Sequence, residues 1–286
     1  MNLVLPEKNK IKKKQLIIYI LIMIVCIACV IIAFYVQFYA RIDISKLVGI
    51  AKEEDLGQKT EEQSEALEAE FDNIFTNSLI NQENQGEDKK KDASKELVYV
   101  DVEKKESKLN SYDLEVHIPK INVDSPVIDK YNEDIQTFID KTNEVLESEN
   151  RNIIYTVEYV ANVQQDILSL MIRSNLKEGS SAQRVIIETY NYDLRNNKEI
   201  SLEEVLDIEY VNKQTVQEKI NSKISSEQRK VEDLKQLGYD IYSRDTSSEQ
   251  YYIENTKQFY LTDNVLYIIY PYGNENFTSE MDLVII

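Results

Sequence analysis

The chain has 286 residues and a formal net charge of -18, from 51 acidic against 33 basic residues. Its length holds one or two ordinary domains. So acidic a balance argues against a nucleic-acid partner, whose phosphates call for a basic footprint.

Residues 1–14, MNLVLPEKNKIKKK, read as a short cytoplasmic tail with five lysines and one glutamate. Residues 15–40 follow as an apolar stretch, uncharged from Leu16 to Val36. About 20 apolar residues suffice for a helix to cross a bilayer. A secretory signal also pairs a basic start with an apolar run, but its core is about 7–15 residues and ends at a small-residue cleavage site. This run is longer and leaves through Phe34, Tyr35, Phe38 and Tyr39, the pattern of an interfacial aromatic belt. The expectation is an uncleaved transmembrane helix, with the lysines holding the N-terminus inside and residues 41–286 outside. Cys26 and Cys29 fall within the run and read as apolar helix residues, not as a redox pair. No cysteine follows, so the exterior part folds without disulfides.

Residues 41–108 read as a polar stalk rich in Glu, Gln, Lys, Asn and Ser, too poor in apolar side chains to offset the entropy of ordering. One amphipathic island, residues 65–80, places Leu67, Phe71, Ile74, Phe75 and Leu79 at helical spacing. It predicts a transient or docked amphipathic helix. Val98, Val100 and Val102 begin a strand at the end of the stalk.

Two small units then follow, residues 109–194 and 195–286. In SYDLEVHI, Tyr112, Leu114, Val116 and Ile118 alternate with Asp113, Glu115 and His117, the period of a half-buried strand. YNEDIQTFIDKTNEVLES presents Ile135, Phe138, Ile139, Thr142, Val145 and Leu146 on one helical face. NIIYTVEYVANV, DILSLMIRSNL and RVIIETYNYDL predict three strands. In NYDLRNNKEISLEEVL, Asn196-Asn197 supplies a turn, and Ser201 with Glu204 forms a capping box ahead of Leu202, Val205 and Leu206. A polar helix over about 212–235 keeps Val216, Ile220 and Ile224 inward. KQFYLT and NVLYIIYPY flank Asp263-Asn264 as a hairpin, and MDLVII ends the chain as a strand. Helices are not interleaved with every strand. The expected fold class is therefore α+β: an N-terminal transmembrane helix, then tandem small antiparallel sheets each covered by a helix.

Chemistry is sparse in this pattern. His117 is the single histidine, on the polar face of its strand, and reads as solvated or surface-paired, not as a triad or zinc residue. Six glycines assemble neither a P-loop nor a dinucleotide fingerprint. DLRNNKE lacks the Asp/Asn alternation and terminal Glu of a calcium loop and reads as a solvated turn. No catalytic residue, metal site or cofactor is expected. The compositional oddity is 19 tyrosines, crowded toward the C-terminus. Tyr251, Tyr252 and Tyr272 are the candidate binding face, since exposed tyrosines stack on sugars and anchor protein interfaces.

The order of motifs resembles the extracytoplasmic module of RsiV-type anti-sigma factors, also found in PdaC-type peptidoglycan deacetylases and many Firmicute surface proteins. Four places carry the resemblance: HIPKINVDSPVIDKYNEDIQTFI, DILSLMIRSN, YNYDLRNNKEISLEEVL and FYLTDNVLYIIYPY. It covers roughly residues 110–286 and implies a tandem pair of small α+β units. The chain departs from the family in KEGSSAQ, where relatives carry a histidine turn, and in PYGNENFTSEMDLVII near the end. No ligand contact therefore transfers to a residue here. The 14-residue tail is too short for a sigma-binding domain, and no deacetylase domain follows. The expected function is a single-pass, membrane-anchored extracytoplasmic binding or sensor module of the cell envelope, not an enzyme. Its expected partners are the membrane and a wall glycan, a lysozyme-type protein or another envelope protein. The alternatives are a carboxylate-based enzyme of wall metabolism and a structural subunit of a membrane complex.

Overall fold

A computed structural model describes residues 56, 59–75, 96–262, 264–272 and 280–286, all within one compact unit, Glu54–Ile286. In chain order the elements are α1 (Glu61–Ala69), β1 (Val98–Lys108), β2 (Tyr112–Ile121), α2 (Pro126–Glu147), β3 (Ile153–Gln164), β4 (Ile167–Glu178), β5 (Arg184–Asp193), β6 (Lys198–Glu199), α3 (Leu202–Ile208), α4 (Lys213–Gln236), β7 (Phe259–Thr262), β8 (Val265–Tyr272) and β9 (Glu280–Ile285).

The expected fold class needs correction on two counts. The strands do not form tandem small antiparallel sheets: β1 to β6 build one six-stranded sheet in sequential order, and β7-β8-β9 build a second of three strands. The larger sheet is mixed, because β2 and β3 run parallel with Tyr112 opposite Ile153. The 22-residue α2 is what permits this. A parallel neighbour requires a crossover connection of a dozen or more residues, and a helix carries the chain back to the starting end of the sheet. Second, among the described residues no helix is long and apolar enough to cross a membrane. The span expected at 15–40 and the tail at 1–14 lie outside those residues.

Local signals explain the elements. Ser125 caps α2 by accepting from the Val127 amide, and Pro126 occupies the first turn, where its missing N–H is not needed. Ile128, Tyr131, Ile135, Phe138, Thr142 and Val145 are buried on the inner face of α2. Asn132 turns back to β2, accepting from the Ile121 amide and donating to the Ile121 carbonyl, both at 2.9 Å. Gln165 and Asp166 join β3 to β4 with φ of 49° and 64°, the paired positive values of a type I′ hairpin turn. Ser201 and Glu204 form the capping box that their spacing predicts. Ahead of it, the buried Asp193 carboxylate accepts from the amides of Arg195 and Asn196 at 3.0 and 2.9 Å.

Three cores result. One lies between α2 and the near face of the large sheet, with Leu114, Val116, Tyr155, Leu170 and Tyr190. A second lies between α3, α4 and the small sheet. The third joins the far face of the large sheet, through Val160, Met171 and Ile187, to Tyr260, Tyr267, Ile269 and Leu283 of the small one, with Phe71 and Phe75 inserted. The segment 59–75 is thus packed against both sheets. Arg173 holds it from below, 2.5 Å from Asp72 and 4.2 Å beneath the Phe75 ring.

The small sheet meets the large one edge-on. Phe259 and Leu261 of β7 face away from β8, and their backbone groups find side chains of β3, β4 and β5. The Phe259 amide donates to Thr189 Oγ1 (3.1 Å), and its carbonyl accepts from Asn191 Nδ2 (2.9 Å). The Leu261 amide donates to Ser169 Oγ (3.0 Å), and its carbonyl accepts from Asn162 Nδ2 (3.4 Å). Four polar side chains therefore do for this edge what a neighbouring strand does elsewhere.

Candidate functional site

Where β7 leaves β5, a cleft of about 1060 Å³ opens between α2, the outer part of β5, residues 199–204 and residues 256–259. That volume is at the upper end for small-ligand pockets. Strand alternation sets its floor: Arg184, Ile186, Glu188 and Tyr190 point to this face of β5, beside Tyr155 and Tyr131.

The tyrosines are packed and polar at once. The Tyr131 and Tyr190 rings lie 5.1 Å apart at 55°, and the Tyr131 hydroxyl donates to the Asn191 carbonyl at 3.1 Å. Burial pushes the hydroxyls of Tyr131, Tyr155 and Tyr190 well above the usual phenol range, so they remain neutral hydrogen-bonding groups.

Glu188 is the notable charge. Burial raises its carboxyl above the ordinary value, Gln258 partly offsets this by a hydrogen bond, and Asp134 raises it further. Gln258 Nε2 donates to Glu188 at 3.0 Å, while its carbonyl oxygen accepts from the Thr189 amide at 2.7 Å and hydroxyl at 2.8 Å. Among the described residues no cation is ion-paired to Glu188. A carboxyl so placed can accept a hydrogen bond or a cationic group from a ligand.

The tyrosines singled out from sequence lie elsewhere and do not form one face. Tyr251 is buried, edge-on to Tyr270 at 5.0 Å, and offers no surface. Its neighbour Tyr252 is 45% exposed. Two successive 3-10 turns, Glu249–Tyr251 and Ile253–Asn255, send the two side chains apart. Tyr272 lies under the Arg244 guanidinium at 4.0 Å and donates to Glu280 at 2.7 Å. None of the three lines the cleft. His117 is half-buried on β2, opposite Glu103 of β1. Among the described residues no group of histidines, cysteines or carboxylates is arranged to hold a metal ion.

The sequence did carry one overlooked signal for the cleft. In RVIIETYNY, Glu188 interrupts an apolar strand, and a carboxylate in such a place needs either a partner or a task.

No family model matches the chain, and no curated protein matches it by sequence. Its structural neighbours are DUF3298 family proteins. One, from Pseudomonas aeruginosa PAO1, is 13% identical with a TM-score of 0.35, over 62% of this chain and 83% of its own. Another, from Bacteroides fragilis NCTC 9343, is 14% identical with a TM-score of 0.30, over 55% of this chain and 74% of its own. Scores this low carry no argument about activity.

Proposed function

We propose that this protein is an extracytoplasmic binding module of the cell envelope, which holds its ligand in the cleft along β5 without consuming it. The observation that carries this reading is the cleft itself: a roomy site where Tyr131, Tyr155 and Tyr190 stand among polar and charged side chains of both signs, so that aromatic surface and orienting groups converge on one concave space. The ligand classes are a wall-derived glycan, a lysozyme-type protein or another envelope protein. The motif resemblance to RsiV-type and PdaC-type modules belongs to this proposal and supports the same placement outside the cytoplasm, as does the lysine-rich start of the chain. The net charge of -18 suits a cationic partner.

Calorimetric titration of the full chain with wall glycan fragments and with lysozyme, at two salt concentrations and beside a turnover assay, tests the reading. Saturable binding without turnover, weakened by Tyr190→Ala, is the expected result. For lysozyme the affinity also falls as salt rises. Turnover abolished by Glu188→Gln instead makes the protein a carboxylate enzyme. No binding of either rejects the glycan and lysozyme classes.

A further inference from the structure

The floor of the cleft carries polar groups that the fold itself does not use. Strand register brings Tyr155 of β3, Ser174 of β4 and Tyr190 of β5 to one face of the large sheet, and all three line the cleft. Each is more than nine-tenths buried. Among the described residues none of their three hydroxyls has a hydrogen-bond partner, whereas the neighbouring Tyr131 hydroxyl is spent on the Asn191 carbonyl. A buried hydroxyl left without a partner costs free energy. Here three such groups converge on one concave space.

Glu188 stands on the same face, two residues before Tyr190, and is half-buried. Its Oε2 accepts from Gln258 at 3.0 Å, and its Oε1 has no partner among the described residues. Gln258 is itself locked, because its oxygen accepts from both the amide and the hydroxyl of Thr189. It therefore holds the carboxylate in one direction. The cations of the cleft are engaged elsewhere or stand in water. Arg184 and Lys141 pair with Glu178 at 3.2 and 3.8 Å, and Lys130 and Lys257 are exposed, where solvent screens them. Burial first, then the charges of Glu188 and Asp134, push the Tyr190 hydroxyl up. The field at the centre of the cleft is thus negative.

We propose that the cleft binds a polyhydroxylated ligand carrying a protonated primary amine, an amino sugar whose amine is unacetylated, with the ammonium on Glu188 and the sugar hydroxyls on Tyr155, Ser174 and Tyr190. This rests on the binding-module reading and names the ligand class within it. An ammonium brings three donors and no acceptor, the complement of a carboxylate with one oxygen free. Charge-assisted hydrogen bonds of this kind are the strong ones. Sugar hydroxyls both donate and accept, as do the hydroxyls of tyrosine and serine. An acetylated amine would set an uncharged amide and a methyl group against Glu188, and the half-buried carboxylate would keep no counter-charge.

Calorimetric titration of the full chain with three ligands tests this, at a pH where the amines are protonated. The ligands are the glucosamine tetramer, the N-acetylglucosamine tetramer, and diaminobutane, an amine without hydroxyls. The glucosamine tetramer is expected to bind about tenfold or more tighter than either of the others. Glu188→Gln is expected to remove most of its preference over the acetylated tetramer, whose own affinity stays within about twofold. Tyr190→Phe keeps the ring and removes the hydroxyl, so it weakens the glucosamine tetramer severalfold and leaves diaminobutane unchanged. A general attraction of cations to a chain of net charge -18 would survive the loss of one carboxylate. A preference that persists in Glu188→Gln therefore overturns the proposal, as does diaminobutane binding as tightly as the glucosamine tetramer. If the acetylated tetramer binds as tightly as the glucosamine one, the amine site is refuted and the binding-module reading stands. No binding by any of the three also refutes it, and the lysozyme titration then decides the module reading.

Discussion

Asn191 and Phe259, 68 residues apart, are joined by a buried hydrogen bond of 2.9 Å from the Asn191 amide to the Phe259 carbonyl. The same side chain accepts from Ser169 Oγ at 2.6 Å through its oxygen. Asn191 therefore ties a backbone group of the small sheet to a side chain of the large one. Asn191→Ala leaves that carbonyl and the serine hydroxyl short of partners. A buried group so left costs about 1–3 kcal/mol, and a loss of that size is expected in urea denaturation with an unchanged slope. A loss below a few tenths of a kcal/mol would show that the Asn191 hydrogen bonds add nothing net to the joint between the two sheets.

The second tie is ionic. Arg244 meets Asp282 of β9 in a two-pronged pair at 2.6 and 2.7 Å, with both side chains under 5% exposed. It fixes the connection between α4 and β7 to the last strand. Removing one partner of a buried pair strands the other charge and costs about 3–5 kcal/mol. Asp282→Asn is expected in that range. The double change Arg244→Met with Asp282→Leu is expected to recover most of it, because no charge remains buried. A double-mutant cycle that finds no coupling sinks this account.

Much of the helical architecture was legible in the sequence, and the reasons are local. The face of α2 follows from the spacing of Ile135, Phe138, Thr142 and Val145, and the start of α3 from Ser201 and Glu204. The capped turn ahead of α3 is closed by groups within a few residues of Asp193. The sheet arrangement was not legible, because strand periodicity reports burial and is silent on which strands pair or in what direction. The cleft was equally hidden: Tyr131, Glu188 and Gln258 come from three segments that only the tertiary fold unites. The choice of Tyr251 failed for a related reason, since 3-10 turns rather than a strand decide where it points.

The packing of Phe75 yields a third prediction. Its side chain is fully buried against both sheets, with Phe71 at 6.0 Å and Arg173 below. Phe75→Ala leaves a cavity between the sheets, and a buried Phe→Ala change costs about 3–5 kcal/mol. Thermal denaturation of the full chain is expected to show a lowered midpoint, and Asp72→Ala a far smaller effect because its carboxylate is largely exposed. A Phe75→Ala protein as stable as the parent would mean that segment 59–75 contributes nothing to the core.

The last prediction uses the raised carboxyl of Glu188. Burial is the leading cause, only partly offset by the hydrogen bond from Gln258. A carboxyl whose value in the folded state exceeds its value in the unfolded chain binds its proton more tightly when folded. Its contribution to stability is fully present below the unfolded value, ordinarily about 4.5, and is lost as pH rises through the raised folded value. Glu188→Gln keeps the shape and an oxygen to accept from Gln258, and carries no charge at any pH. The variant is therefore expected to be more stable than the parent at neutral pH, with the advantage shrinking as pH falls and vanishing below the ordinary carboxyl range. Midpoints of thermal unfolding for both proteins, measured from pH 4 to pH 8, give this comparison directly. A gap that stays constant with pH, or that grows toward acid, contradicts a carboxyl raised by partial burial at this site.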